Sequence, residues 1–259
     1  MDWQAECMTL EQRLGPHGRL GVHWMPLADG GGFSYRGEEG FPAASVIKVP
    51  IMMEALRQAQ LGQLDLESIY ALQETDVVGG AGVLMELHRG ITLTWRDLVH
   101  LMIVVSDNTA SNALIDRLGQ ARLNQALAEL GMTQSVLGRK FMVAPDSPLV
   151  KNFTSPNDMA RCLAALYRNE FLNAEWSSVG IDIMARQQYR EKIPLLLPAE
   201  TRVAHKTGEI DGVRHDVALV LRPGRSYVFV ALTHQVADVL EADRVIAELS
   251  LLIYSLTQV

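Results

Sequence analysis

The placement of the strand-like runs constrains this chain more than any other feature. Residues 20–24 and 33–35 near the start, and 201–206, 213–221 and 227–234 near the end, carry the apolar alternation or short apolar runs of β-strands. Between about Ala44 and Ile193 the apolar residues recur at helical spacing instead. A strand needs a partner for its backbone groups, so the two ends of the chain are expected to meet in one five-stranded antiparallel sheet. Ala28-Asp29-Gly30-Gly31-Gly32 reads as a hairpin loop, and Arg222-Pro223-Gly224-Arg225 as a turn. Helices over 2–14 and 238–257 would close the sheet. The expected fold class is α+β: a five-stranded antiparallel sheet flanked by helices, with an inserted all-helical lobe. The sheet lobe takes residues 1–43 plus 195–259, and the helical lobe residues 44–194.

The middle segment carries its own punctuation. A helix over 44–60 has Pro50 in its early turns, where the missing donor is tolerated. Thr94-Trp95-Arg96-Asp97 has the form of a capping box, with Asp in place of Glu. A helix over 108–118 stops at Gly119, and the next, over 121–130, stops at Gly131. Ser155-Pro156 supplies a cap residue and then a proline at the first helical position.

At 259 residues and 48% hydrophobic content, the chain can bury an ample core. The net charge of −7, with no block of five like charges, argues against a nucleic-acid surface. No run of eighteen apolar residues occurs, so no membrane span is expected. Cys7 and Cys162 lie far apart and are expected to stay reduced. The seven histidines form no H-x-x-H pair, so no metal or other cofactor is expected. His205 and His215 flank Lys206-Thr207-Gly208 and are expected to be structural. Met52, Met53, Met102 and Met184 are expected to fill core gaps. The expected partner is a small-molecule substrate, and oligomeric state is open.

Ser45-Val46-Ile47-Lys48 opens the first helical run. A serine is a poor nucleophile until a base takes its proton. Three residues apart on a helix, Lys48 would stand beside Ser45, and a lysine kept neutral by its surroundings can be that base. By chance S-x-x-K arises roughly once in a chain this long. Two tripeptides downstream give it weight: Ser106-Asp107-Asn108 and Lys206-Thr207-Gly208. Each has roughly a 5% chance of appearing in such a chain.

These three elements, in this order, are the set of class A β-lactamases and penicillin-binding proteins. The chain resembles that superfamily, and class A most closely. The likeness extends over Phe41-Pro42-Ala43-Ala44-Ser45-Val46-Ile47-Lys48-Val49-Pro50, Gly82-Val83-Leu84, Leu93-Thr94, and residues 98–103 and 112–119. The resemblance implies a β-lactamase/transpeptidase-like fold, which has the arrangement read from the pattern. It also implies roles. Ser45 would attack a carbonyl carbon and become acylated. Lys48 would take its proton, held neutral by the like charge of Lys206. Ser106 would pass a proton to the leaving nitrogen. Asn108 would hold the substrate's side-chain amide, while Asp107 turns away and caps backbone N–H groups. Lys206 and Thr207, at the end of a strand edging the cleft, would bind a substrate carboxylate. Gly208 would let substrate approach closely, and the N–H groups of Ser45 and Glu209 would form an oxyanion hole. Arg214 falls where family members keep an extra carboxylate-binding arginine; a plain strand arginine is the alternative.

One departure matters. Class A enzymes carry Glu-x-x-Leu-Asn in a loop ahead of the helix expected after Ser155, and that Glu activates the water that releases the acyl group. Residues 137–152 contain no Glu; Phe141 stands near its register, and Asp146 is the only acid. Three readings are open: a β-lactamase-like serine hydrolase acting on a β-lactam, ester or small amide; a D-Ala-D-Ala peptidase or transpeptidase relative; or a sensor that acylates and stays acylated. Residues 1–6 lack the apolar core of a signal peptide, giving a cytoplasmic expectation, or periplasmic or secreted if a leader has been removed.

Overall fold

In the computed structural model, residues 2–28, 31–144 and 151–257 are described. Their order is α1 (Trp3–Gln12), β1 (Arg19–Pro26), β2 (Phe33–Tyr35), β3 (Phe41–Pro42), α2 (Lys48–Gln60), β4 (Ile69–Ala71), β5 (Thr92–Thr94), α3 (Trp95–Val104), α4 (Asn108–Leu118), α5 (Gln120–Glu129), β6 (Phe153–Thr154), α6 (Pro156–Tyr167), α7 (Ala174–Met184), β7 (Arg202–Ile210), β8 (Val213–Leu221), β9 (Tyr227–His234) and α8 (Val239–Leu256). Short oxygen-bearing side chains start most of the helices, because each helix leaves its first N–H groups without internal partners. Asp2 accepts from Ala5 N, Asp107 from Ala110 N, Ser155 from Asp158 N, and Asp238 from Leu240 N and Glu241 N. The Thr94/Asp97 capping box forms in full.

The sheet order is β2-β1-β9-β8-β7, antiparallel throughout. Thus the chain's two ends do meet: β1 pairs with β9 from Arg19 opposite His234 to Pro26 opposite Tyr227. The central strand β9 is buried on both faces, and its period of two divides the core. Val228, Val230 and Leu232 join the helical side, with α2 at its centre, while Tyr227, Phe229 and Ala231 face the side closed by α1 and α8. Helix α2 is buried from Lys48 to Leu56 and contacts α3, α4, α5, α6 and α7. Met52, Met53, Met102 and Met184 are all in that core, and Cys7 and Cys162 are free and buried. Among the described residues no helix is long and apolar enough to cross a membrane.

Three expectations move. The nucleophile helix begins at Lys48, not Ala44. Ala44 takes a left-handed backbone (φ 43°), and Val46 N and Lys48 N donate to the carbonyls of Ala43 and Ser45, so 44–47 is a turn feeding the helix. The middle segment is not wholly helical, since β4 pairs with β5 and β6 with β3. Strand β7 runs on to Ile210 because Gly208, Glu209 and Ile210 keep pairing with β8 until Asp211-Gly212 turns the chain. Lys206 and Thr207 therefore lie mid-strand rather than at a strand end.

Candidate active site

Three elements deliver the three motifs to one place. Ser45 lies in the tight turn before α2, with Lys48 as the first residue of that helix. Ser106 lies between α3 and α4 in a left-handed conformation (φ 57°), and Asn108 opens α4. Lys206 projects from edge strand β7. Non-glycine residues at positive φ cost about 1–3 kcal/mol each and persist where the surroundings over-determine them. Asp107 supplies that determination at Ser106. One carboxylate oxygen caps Ala110 N, and the other accepts from Val83 N and Leu84 N at 2.7 and 2.8 Å. Gly82 makes room for it, since a Cβ there would fall 2.3 Å from the Asp107 carboxyl.

Lys48 and Lys206 are both fully buried. Lys48 Nζ donates to Ser106 O (2.8 Å) and Asn108 Oδ1 (2.8 Å), and lies 3.2 Å from Ser106 Oγ. Lys206 Nζ donates to Ser106 Oγ (3.0 Å) and Thr207 O (2.7 Å). The Ser106 hydroxyl is thus a bridge between two amines. Among the described residues, Lys48 Nζ makes no hydrogen bond to Ser45 Oγ; the two side chains stand one turn apart, joined through Lys48 N donating to Ser45 O. Burial, first, and the charge of Lys206, second, hold the Lys48 amine well below the usual lysine range. Lys206, the cause expected from the motifs, is thus the smaller one; the larger is the dry site itself. Burial also lowers Lys206 to about 7, against the pull of Asp216 and Glu209.

Ser45 is 9% exposed and lines a cleft of about 390 Å³ together with Gly80, Ala81, Asn108, Phe141 and Glu209. Gly208 crosses directly beneath it: a Cβ there would sit 3.1 Å from Ser45 N and from Val46 Cγ1. Opposite Gly208 on β8, His215 Nε2 donates to Pro42 O at 2.7 Å and its Nδ1 accepts from Thr233 N. Burial lowers its pKa to about 4, so it stays neutral and ties β8 to the strand that leads into Ser45. His205, on the other face of β7, pairs with Asp216.

The remaining candidates fall less simply. Asn108 lines the cleft, yet its oxygen is held by Lys48 and its Nδ2 donates to Gly79 O. Arg214 pairs in register with Glu209, and its guanidinium lies beside Glu209 and Asp243. Phe141 packs over the amine of Lys48, with Nζ 4.4 Å from the ring centroid. The Asn112 side chain fixes Phe141 by exchanging two hydrogen bonds with its backbone, at 2.8 and 2.9 Å. The motifs do not include Asn112, although it stands one helical turn beyond Asn108 on α4. Asp146 lies outside the described residues. Among those described, no group of three or more His, Cys, Asp or Glu is placed to hold a metal ion.

An antiparallel sheet packed on a helical layer, with a cleft serine beside two buried lysines bridged by a second serine, defines a serine hydrolase of the penicillin-recognising type. The chain belongs to the β-lactamase enzyme family, whose model matches residues 10–257. It is 28% identical over 232 residues to the β-lactamase Toho-2 of Escherichia coli, covering 86% of this chain and 77% of that protein. A solved β-lactamase from Sphaerobacter thermophilus superposes with a TM-score of 0.93 at 30% identity, over 99% of this chain and 98% of that one. The structure of PBP-A superposes with a TM-score of 0.88 at 27% identity, over 98% and 96%, as does a mutant of it solved as an acyl-enzyme complex with penicillin G.

Proposed function

We propose that the protein hydrolyses a β-lactam or a related ester or amide through an acyl-enzyme on Ser45. The cleft would lie between a sheet lobe (1–43 plus 195–259) and a helical lobe (44–194). The observation that carries this reading is the buried chain Lys48 Nζ–Ser106 Oγ–Lys206 Nζ, at 3.2 and 3.0 Å, beside the cleft-lining Ser45. Neutral Lys48 takes the Ser45 proton as Oγ bonds to the carbonyl carbon. The N–H groups of Ser45 and Glu209 receive the oxyanion. As the carbon–nitrogen or carbon–oxygen bond breaks, Ser106 gives its proton to the leaving atom and regains one from Lys48 across the 3.2 Å contact. Lys48 is then neutral again. The charge of Lys206 adds to burial in keeping Lys48 deprotonated, and its amine orients the Ser106 hydroxyl. Asn108 positions Lys48 and keeps one N–H for substrate, while Thr207 and Gly208 form the β7 part of the floor.

Release of the acyl group needs a water and a base. Phe141 occupies the space against Lys48, and its ring takes no proton. This favours a second reading in which the chain acylates readily and releases slowly, as a penicillin-binding or sensor protein would. Intact-protein mass spectrometry after mixing with benzylpenicillin separates them. Transient labelling with accumulation of opened drug supports the hydrolase; a lasting adduct on Ser45 supports the second reading. No adduct, together with ester turnover lost in Ser45→Ala, would redirect the assignment to an esterase.

A further inference from the structure

Past Ser45, strand β7 carries a side chain that the proposed reaction does not use. Side chains two apart on a strand share a face, so Lys206, Gly208 and Ile210 form one row along the cleft. Lys206 bonds to Ser106 Oγ, which would face the leaving atom, and Gly208 passes beneath Ser45 N. The row therefore runs from the leaving-group end, past the nucleophile, to an acyl end at Ile210. Two residues of strand put Ile210 about 7 Å beyond Gly208. Ile210 lines the cleft with its β8 partner Val213, yet it is 51% exposed. The loop that carries Phe141 contributes Met142 to the same cleft, and Met142 is 64% exposed. Its backbone is left-handed (φ 55°), a conformation uncommon outside glycine. Its side chain lies against Gly80, beside Asn108: a Cβ at Gly80 would fall 3.3 Å from Met142 Cγ and Sδ and 2.7 Å from Asn108 Nδ2.

Single exposed apolar side chains are ordinary on a protein surface. Two that line one reaction cleft, together with Phe141 and Val213, make an apolar patch continuous with the reacting centre. Charges of both signs line the cleft as well, Arg139, Lys140 and Lys151 against Glu209 and Asp211. Lys140 also pairs with Asp116, and Glu209 with Lys192. The geometry points to an acyl subsite at this end that selects esters and amides with an aryl or long alkyl group on the carbonyl side. Met142 and Ile210 are its specificity-determining residues. This rests on Ser45 as nucleophile. Over a span of about 7 Å, a methyl substituent stops short of Ile210, while a benzyl group reaches it. Filling a partly open apolar site raises the acylation rate about tenfold, the low end for an enclosed pocket.

Benzylpenicillin and 6-acetamidopenicillanic acid test this, since they differ only in the phenyl ring on the acyl side. With protein in excess and below saturation, the rate of lactam opening reports acylation whether or not the acyl group is then released. Benzylpenicillin is expected to open about tenfold faster. Ile210→Thr keeps the branched shape that strands favour, and Met142→Asn tolerates the left-handed backbone. Each is expected to cut the ratio about threefold, half of the tenfold effect on a free-energy scale, and either serves if the other does not fold. Ile69→Thr, at an exposed position on β4 outside the cleft, is expected to leave the ratio unchanged. Equal opening of the two compounds would overturn the inference. So would a ratio that neither cleft variant moves, or one that Ile69→Thr moves as far. Opening of neither compound, or opening that survives in Ser45→Ala, is a separate failure: the nucleophile assignment falls, and the inference with it.

Discussion

The floor of the cleft and its loop wall are built in opposite ways. The floor draws on α2, the α3–α4 junction and β7, and its buried groups are tied together: Lys48, Ser106 and Lys206 form one chain, and Asp107 locks the junction by three backbone bonds. The wall near residue 141 is a loop held by Asn112 and Asn152, and it offers Lys48 an aromatic ring. On the proposed mechanism, the floor makes the acyl bond, and a base placed on the wall would break it. The difference teaches that the two halves of one catalytic cycle can be supplied, or withheld, by separate pieces of the fold.

The largest expected effect is at the floor. Ser45→Ala should abolish the covalent adduct, checked by intact mass; an adduct that persists elsewhere would place the chemistry outside this cleft. Lys48→Ala should slow acylation by about 10²–10⁴-fold, read in stopped flow. The same rate in the unaltered protein should fall as pH drops through the lowered Lys48 pKa, because protonation removes the base. Phe141→Glu tests the wall. It should speed release of the acyl group by about 10²-fold, the lower end for a placed general base, with acylation changed far less. Equal effects on both steps would erase the distinction between floor and wall.

Lys206 gives a stability test. Its folded pKa of about 7 lies below the unfolded value of about 10.4. Between these values the unfolded chain binds more protons, so this group's contribution favours folding more as pH rises. Denaturation midpoints of Lys206→Met should exceed those of the unaltered protein at pH 7, with the advantage shrinking toward pH 10. The smallest effect is a control. Thr94→Ala removes the cap of α3, far from the reacting atoms, and should cost about 1 kcal/mol in chemical denaturation while leaving the ratio of the two steps unchanged.

Much of the floor was legible in the sequence, because the three motifs are short and local. The sheet was legible for a different reason: the strand-like runs at both ends had no other partners. What stayed hidden depended on non-local geometry. That Ser45 sits in a turn rather than a helix depends on the left-handed Ala44, which neither alanine's propensity nor the apolar spacing betrays. The length of β7 was set by pairing with β8, not by its own residues. Burial as the main cause of the Lys48 shift requires knowing what packs around α2. Lys192 and Asp243 lie 51 positions apart and carry no motif, so nothing local joins them to Arg214.

The most direct test of this division between floor and wall tracks one turnover on Ser45 with time-resolved intact mass, after mixing the protein with an equal amount of an activated β-lactam. One acyl group per chain, located on Ser45, should form faster than it is lost, and Phe141→Glu should shorten its lifetime. A lifetime already too short to detect in the unaltered protein, with steady product release and no burst, would contradict the division by showing that release has a base beyond the described residues of the wall.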